Sequence, residues 1–246
     1  MLQVGIVGCG CIGSALAEWI RLHNPLLPVV IKDPDKGFFD ALDAVSVVFV
    51  SIPVETKADG CQEISALEEV LMGLPDVPVF IRSTILPGTT DMLAKKLRRR
   101  LYFMPEFLTE RTAVADFSSQ PLIVTGEIEL MRTIFPGREI IQMTSLEAEI
   151  AKYAHNVFGA LKVTFFNGIF SLCLDLGVDY KRGRAAVLAS GYINRPHTDV
   201  PGPDGKCGYG GKCFPKDVEA FTHYLGESPF ADLIKEVSTL NGVFRE

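Results

Sequence analysis

No two cysteines in this 246-residue chain stand at the paired spacing of a zinc site, and six in all, at 9, 11, 61, 173, 207 and 213, are too sparse for a disulfide scaffold. Reduced thiols, no bound metal and an intracellular, cytoplasmic setting are the expectation. Positive charge is in the minority: 24 Lys and Arg against 30 Asp and Glu leave a net charge of −6. That balance argues against a nucleic-acid surface, and the one basic run, Lys95-Lys96-Leu97-Arg98-Arg99-Arg100, reads as the exposed end of a helix. The apolar stretch Met1 to Val7 ends at glycines, lacks a basic flank and is too short to span a bilayer, so neither a signal peptide nor a membrane segment is expected. No internal repeat is present. What remains, at 48% apolar residues, is an ordinary soluble globule of one large or two moderate domains.

Residues 208–217, Gly-Tyr-Gly-Gly-Lys-Cys-Phe-Pro-Lys-Asp, are the most informative stretch. Pro215 suits the first turn of a helix, which places Cys213 near the N-cap and Asp217 about one turn inside. Unpaired backbone N–H groups, the positive end of the helix dipole and the charges of Lys212 and Lys216 would all stabilise a thiolate there. Asp217, four residues on, comes round to a similar side and can orient a water or take a proton. Against this stands the plainer reading of Cys213 as an inert, buried small hydrophobe.

The front half reads as a dinucleotide-binding unit. An apolar strand, Gln3 to Val7, runs into Gly8-Cys9-Gly10-Cys11-Ile12-Gly13, and Ile12, Leu16, Trp19 and Ile20 then have helical spacing. Gly8 would permit the tight turn, Gly10 the approach of a pyrophosphate to the helix N-terminus, and Gly13 close packing of helix on strand. A second strand, Val29-Val30-Ile31, leads to Asp33, whose carboxylate would bond the adenosine ribose hydroxyls and so favours NAD over NADP. Further strands are expected at Val45–Val50 and Val77–Ile81, with a helical stretch from Cys61 to Met72 between them. Only about a dozen residues separate Asp33 from the third strand, so the usual strand beyond the second should be missing. Ser51-Ile52-Pro53 and Ser83-Thr84 follow strand C-termini, where ligands bind in open sheets, making Thr84 a candidate cofactor or water contact.

The back half opens on a capping box, Thr144 to Glu147, followed by apolar residues every three or four positions from Leu146 to Leu176. One helix of about thirty residues, roughly 45 Å long, is expected. So long a helix has more apolar length than a small domain can cover, which points to a homodimer contact. On another face lie Glu149, Lys152, Asn156 and Gly159; the plain reading of the Lys–Asn pair is a solvated surface. Together these features predict an α/β fold, a shortened, doubly wound, Rossmann-type parallel sheet over 1–143 followed by an all-α domain with one long helix over 144–246.

Four segments also occur together and in order in a known family: Ser83-Thr84-Ile85-Leu86-Pro87-Gly88-Thr89-Thr90, Pro105-Glu106-Phe107-Leu108-Thr109-Glu110, Ala148-Glu149-Ile150-Ala151-Lys152-Tyr153-Ala154-His155-Asn156, and Gly208 to Asp217. The chain resembles the UDP-glucose/GDP-mannose dehydrogenases from Met1 to about Asn241, in a shortened form lacking the C-terminal UDP-binding domain. The resemblance implies a two-step oxidation of a nucleotide-sugar C6 alcohol to the uronic acid, with two NAD consumed. It makes Cys213 the nucleophile that adds to the intermediate aldehyde; the thiohemiacetal then gives up hydride to a second NAD, and the resulting thioester is hydrolysed. Lys152 and Asn156 would stabilise oxyanions, and Thr84, Glu110 and Asp217 would position or activate water. Substrate would meet Glu106, Phe107, Leu108, Lys152, Asn156 and Gly210. NAD would meet Gly8, Gly10, Cys11, Ile12, Gly13, Asp33, Pro53, Thr84 and Lys216. Two other classes stay open: a β-hydroxyacid or 6-phosphogluconate-type dehydrogenase, which shares Lys-x-x-x-Asn but needs no cysteine, and a non-catalytic NAD-binding remnant or partner of a full-length enzyme. Arg111 departs from the family, which usually has Gly after this glutamate.

Overall fold

A computed structural model describes residues 2–57 and 59–246. The chain divides into two compact units, residues 1–55 with 62–152, and residues 56–61 with 153–246. In the first unit β1 (Val4–Val7), β2 (Val29–Asp33), β3 (Phe38–Phe39), β4 (Val47–Val50), β5 (Val79–Ile81) and β6 (Leu101–Phe103) form one sheet in the order β3-β2-β1-β4-β5-β6. All neighbours pair in parallel except β3, which lies antiparallel on the edge of β2 through Lys32↔Phe39 and Asp33↔Phe38. The position expected to be missing is thus filled, but by only two exposed residues. The chain from Asp33 to Val47 is too short for a crossover helix and a parallel strand, so it turns straight back.

The central strands β1, β4 and β5 are apolar throughout because both faces are covered. Val4, Ile6, Val47, Phe49 and Phe80 point to one core with Leu16, Trp19 and Ile20 of α1 (Cys11–His23). Val7, Val48, Val50, Val79 and Ile81 point to the other, with Leu67 and Leu71 of α2 (Ser65–Met72) and Leu93 of α3 (Thr89–Leu97). This period-two division sends alternate side chains to opposite cores, each contributing roughly 1.5–3 kcal/mol when fully buried. Phe117 of α4 (Ala113–Ser119) and Met131 and Ile134 of α5 (Ile128–Ile134) complete the first core, beside a parallel pair, β7 (Leu122–Val124) and β8 (Ile140–Gln142).

The capping box forms: Thr144 N and Oγ1 donate to Glu147 Oε2 at 2.8 and 2.7 Å, and Glu147 N donates back to Thr144 Oγ1 at 3.3 Å. It opens α6, Ser145–Asp175, 31 residues long. The two stripes of α6 have opposite fates. The apolar one is largely exposed at Leu146, Ile150, Phe165, Ile169 and Leu172, whereas Glu149, Lys152 and Asn156 are buried, overturning the solvated reading of the pair. By length and composition alone α6 could cross a bilayer; its polar residues instead bind other parts of this fold.

Glu149 shows why such burial is tolerated. Its carboxylate accepts from Gly88 N at 2.6 Å, Thr90 N at 2.8 Å and Thr90 Oγ1 at 2.6 Å, capping the N-terminus of α3. Burial pushes the carboxyl above its ordinary value, and the Thr90 and Gly88 donors pull it back. Glu149→Ala strands these donors and is expected to cost about 3 kcal/mol, read from chemical denaturation.

In the second unit α6 continues beside α7 (Tyr180–Ala189), α8 (Phe214–Leu225) and α9 (Pro229–Arg245). Tyr153 stacks on Phe221 with ring centroids 5.0 Å apart, Asn156 bonds Asp217, and a Cβ at Gly159 would stand 2.6 Å from the Phe214 ring. Rising numbers on α6 meet falling numbers on α8, so the two helices run antiparallel. The start of α8 is thereby carried to the level of Gly159.

Candidate active site

In the first unit, five parallel strands end along one edge of the sheet, and their C-terminal loops carry the expected ligand contacts. Asp33 closes β2, the glycine loop follows β1, Ser51–Pro53 follows β4, Ser83-Thr84 follows β5, and Met104 to Leu108 follow β6. Each glycine has a distinct surrounding. Gly8 has φ +86°, and a Cβ there would stand 2.5 Å from Ser51 O; at Gly13 it would stand 2.0 Å from Gly8 O. At Gly10, by contrast, no described heavy atom lies within 4 Å of that position. Turn, open approach and close packing are the requirements of a pyrophosphate loop at the start of α1.

Asp33 Oδ2 accepts from Cys9 N at 2.6 Å while Lys36 Nζ donates to Cys9 O at 2.8 Å, fixing the acid against the loop. Cys11 and Ile12 lie in the first turn of α1, and the Cys11 thiol reaches Glu110 O at 3.9 Å. Pro53 is exposed after β4. Thr84 is half-buried, and its carbonyl accepts from Gln62 Nε2 at 3.0 Å. These residues fit a dinucleotide: a helix N-terminus for the diphosphate, Asp33 for the ribose, and loops on the side where such ligands bind.

A buried ion pair follows β6. Lys152 Nζ donates to Glu106 Oε1 at 2.9 Å and to Glu106 O at 2.5 Å, Glu106 Oε2 accepts from Leu108 N at 2.6 Å, and the ammonium lies 5.7 Å from the Phe107 ring centroid. Burial pushes the Glu106 carboxyl up, but Lys152, Leu108 N–H and Arg82 together outweigh it and hold it below its ordinary 4.5. A depressed carboxyl contributes stability above its unfolded value and loses it as pH falls through the folded one. Melting temperature should therefore fall with acidification below about 4.5, and less steeply in Glu106→Gln, in a pH series of thermal melts. Glu110 lies exposed in the turn after this segment.

In the second unit Cys213 is the N-cap residue of α8, exposed, with Pro215 in the first turn and Asp217 buried one turn in. Asp217 Oδ2 accepts from Asn156 Nδ2 at 2.5 Å and Oδ1 from Lys216 Nζ at 2.5 Å, so the lysine expected at the cofactor holds this carboxylate. The loop before Cys213 is pinned at its base: Asn167 Oδ1 accepts from Gly208 N at 2.9 Å, and Asn241 Oδ1 from Tyr209 N at 2.6 Å. Gly210 lies against Arg245, where a Cβ would stand 2.5 Å from the guanidinium. Phe214 is held between Gly159, His197 and Tyr209, which sets the direction in which its neighbour Cys213 projects. None of the six cysteines forms a disulfide.

Residues 146–242 match the model of the UDP-glucose/GDP-mannose dehydrogenase family, central domain. The stretch 146–242 is a central domain of that family. It is 30% identical to the UDP-glucose 6-dehydrogenase of Pseudomonas aeruginosa, an alignment covering 92% of this chain and 56% of that protein. A UDP-glucose dehydrogenase structure from Pyrobaculum islandicum superposes with a TM-score of 0.85 at 23% identity, over 99% of this chain and 68% of that one. A 3-hydroxyisobutyrate dehydrogenase from Mycobacterium tuberculosis gives 0.71 at 17% identity, over 100% and 95%. Both likenesses show the fold, a Rossmann-type α/β unit with a helical one. The chain spans about half the length of the curated UDP-glucose/GDP-mannose dehydrogenases it matches, and dehydrogenases of this family use NAD.

Proposed function

We propose that the chain oxidises the C6 alcohol of a nucleotide sugar to the uronic acid, with Cys213 as the covalent nucleophile. The observation that carries this reading is the start of α8, where an exposed thiol at the N-cap is followed one turn later by a buried carboxylate held by Asn156. Gly8, Gly10, Cys11, Ile12, Gly13, Asp33, Pro53 and Thr84 would hold NAD, which supplies hydride acceptance twice per turnover.

In this reading the first oxidation delivers an aldehyde, the Cys213 thiolate adds to its carbonyl carbon, and Lys152 and Asn156 donate to the oxyanion that forms. Loss of hydride from that adduct leaves a thioester on Cys213. Water then attacks the acyl carbon, with Asp217 taking its proton and Thr84 and Glu110 positioning it; the thiolate departs and the carboxylate product is free. Glu106, Phe107, Leu108 and Gly210 line the sugar. The exposed apolar stripe of α6, Phe165 and Leu172 included, supports a homodimer through this helix.

The test follows NADH release with UDP-glucose, GDP-mannose and UDP-N-acetylmannosamine. About two NADH per sugar are expected for a true substrate, and Cys213→Ser should abolish acid formation. Oxidation of a simple β-hydroxyacid independent of Cys213 would favour the second reading, which Lys152 and Asn156 on one helix also permit. Tight NAD binding without oxidation of any of these compounds would mark a non-catalytic partner.

A further inference from the structure

Arg82, the residue between β5 and Ser83-Thr84, is 1% exposed, and its Nε, Nη1 and Nη2 have no hydrogen-bond partner among the described residues. Its guanidinium lies 5.0 Å from the Phe117 ring centroid, and that of Arg138 lies 5.0 Å from the same ring. Arg138 Nη1 is likewise buried and unpartnered, while its Nη2 donates to Gln120 O. Two cations against one ring repel, and each unmet buried donor costs about 1–3 kcal/mol, so the arrangement calls for a compensating acceptor. Arg82, Arg138, Gln120, Phe117 and Glu106 line a cavity of about 20 Å³, and Glu106 is its one carboxylate. A single water needs roughly 10–15 Å³ and two or more polar partners, both of which this cavity supplies.

We propose that the cavity is the site of one internal water bridging the Arg82 guanidinium to the Glu106 carboxylate, making Arg82 a positioning residue for the Glu106–Lys152 pair. The water accepts from Arg82 and donates to Glu106, whose Oε1 and Oε2 already face Lys152 Nζ and Leu108 N. Anchored on the cavity side, the carboxylate fixes where Lys152 points. Burial, then the neighbouring Arg138, lower Arg82 while Glu106 raises it; the net value of about 10 keeps it charged at neutral pH. The groups facing Glu106 are therefore Lys152 from α6 and Arg82 from the end of β5, with Arg138 beyond Arg82.

The consequence for catalysis rests on the reading of Lys152 as oxyanion donor; the water itself does not. A crystal structure of the wild-type chain should show one solvent peak within hydrogen-bond distance of Arg82 and Glu106, with no anomalous signal there after a bromide soak. Absence of the peak, or a bromide peak marking an anion site, overturns the proposal. Carbon-13 NMR titration of the Glu106 carboxyl, assigned with Glu106→Gln, should move up by about one pH unit in Arg82→Met and by less in Arg82→Lys. An unchanged titration in both overturns it, and Arg82→Lys and the wild-type crystal still decide if Arg82→Met fails to fold. These readouts need no turnover. Where the dehydrogenase reading holds, Arg82→Met should also lower kcat about tenfold at unchanged KM and raise the acid limb of the rate profile, with Arg82→Lys restoring both; unaltered kinetics would remove the positioning role.

Discussion

Lys152→Met is expected to destabilise the first unit by about 3–5 kcal/mol, because it leaves the Glu106 carboxylate buried without its cation. Lys152 and Glu106 have side chains only 5% and 7% exposed, and the ammonium also bonds the Glu106 carbonyl. Methionine reproduces the length of the lysine stem and none of its donors. The double variant Lys152→Met with Glu106→Gln should recover a large part of the loss, since the stranded charge goes with it. Urea melts of the wild type, both single variants and the double variant measure this coupling; strictly additive losses would show that the pair is not the unit of stability. In the proposed reaction Lys152→Met should further lower kcat/KM by about 10²–10³-fold.

Asp217→Asn should trap the second half of the reaction. The substitution preserves the shape of a side chain that is 1% exposed and leaves Asn156 an oxygen to bond, so the loss of stability should be confined to the Lys216 contact, about 1–3 kcal/mol. In the proposed reaction it removes the proton acceptor one turn from Cys213, and hydrolysis of the thioester should then slow by about 10²–10³-fold. Intact-mass measurement during turnover should reveal the chain with the acyl group added, and Cys213→Ser should abolish the adduct. Full-rate acid release by Asp217→Asn would assign the base elsewhere.

The parts of this fold legible in the sequence are those whose cause is local. The glycine loop, the capping box at Thr144 and the start of α8 at Cys213 each depend on residues within one or two turns, and the structure has all three where the spacing put them. The placing of the loops after β4 and β5 on one edge was legible for a related reason, since a parallel sheet brings its strand ends together. What escaped depends on distant partners. Periodicity puts Glu149, Lys152 and Asn156 on one face of α6 but does not say what covers that face; their partners stand 59–61, 46 and 61 residues away in sequence. The apolar stripe was legible as a surplus over what a small domain covers, but helical spacing identifies a face without identifying its neighbour. β3 is two exposed residues with no pattern to read, and β6 sits in the shadow of the basic run. Arg82 drew no reading from the sequence, because nothing nearby in the chain marks it as buried.

The polar stripe of α6 also has an indexing consequence. Glu149, Lys152, Asn156 and Gly159 each match a different segment: the start of α3, the Glu106 turn, Asp217 and Phe214. One residue inserted between Glu149 and Lys152, or between Asn156 and Gly159, would turn everything beyond it by about 100° and advance it by about 1.5 Å, so that the two partners of that pair could no longer be met together. These stretches of the helix can therefore exchange side chains one at a time but cannot change their length by one.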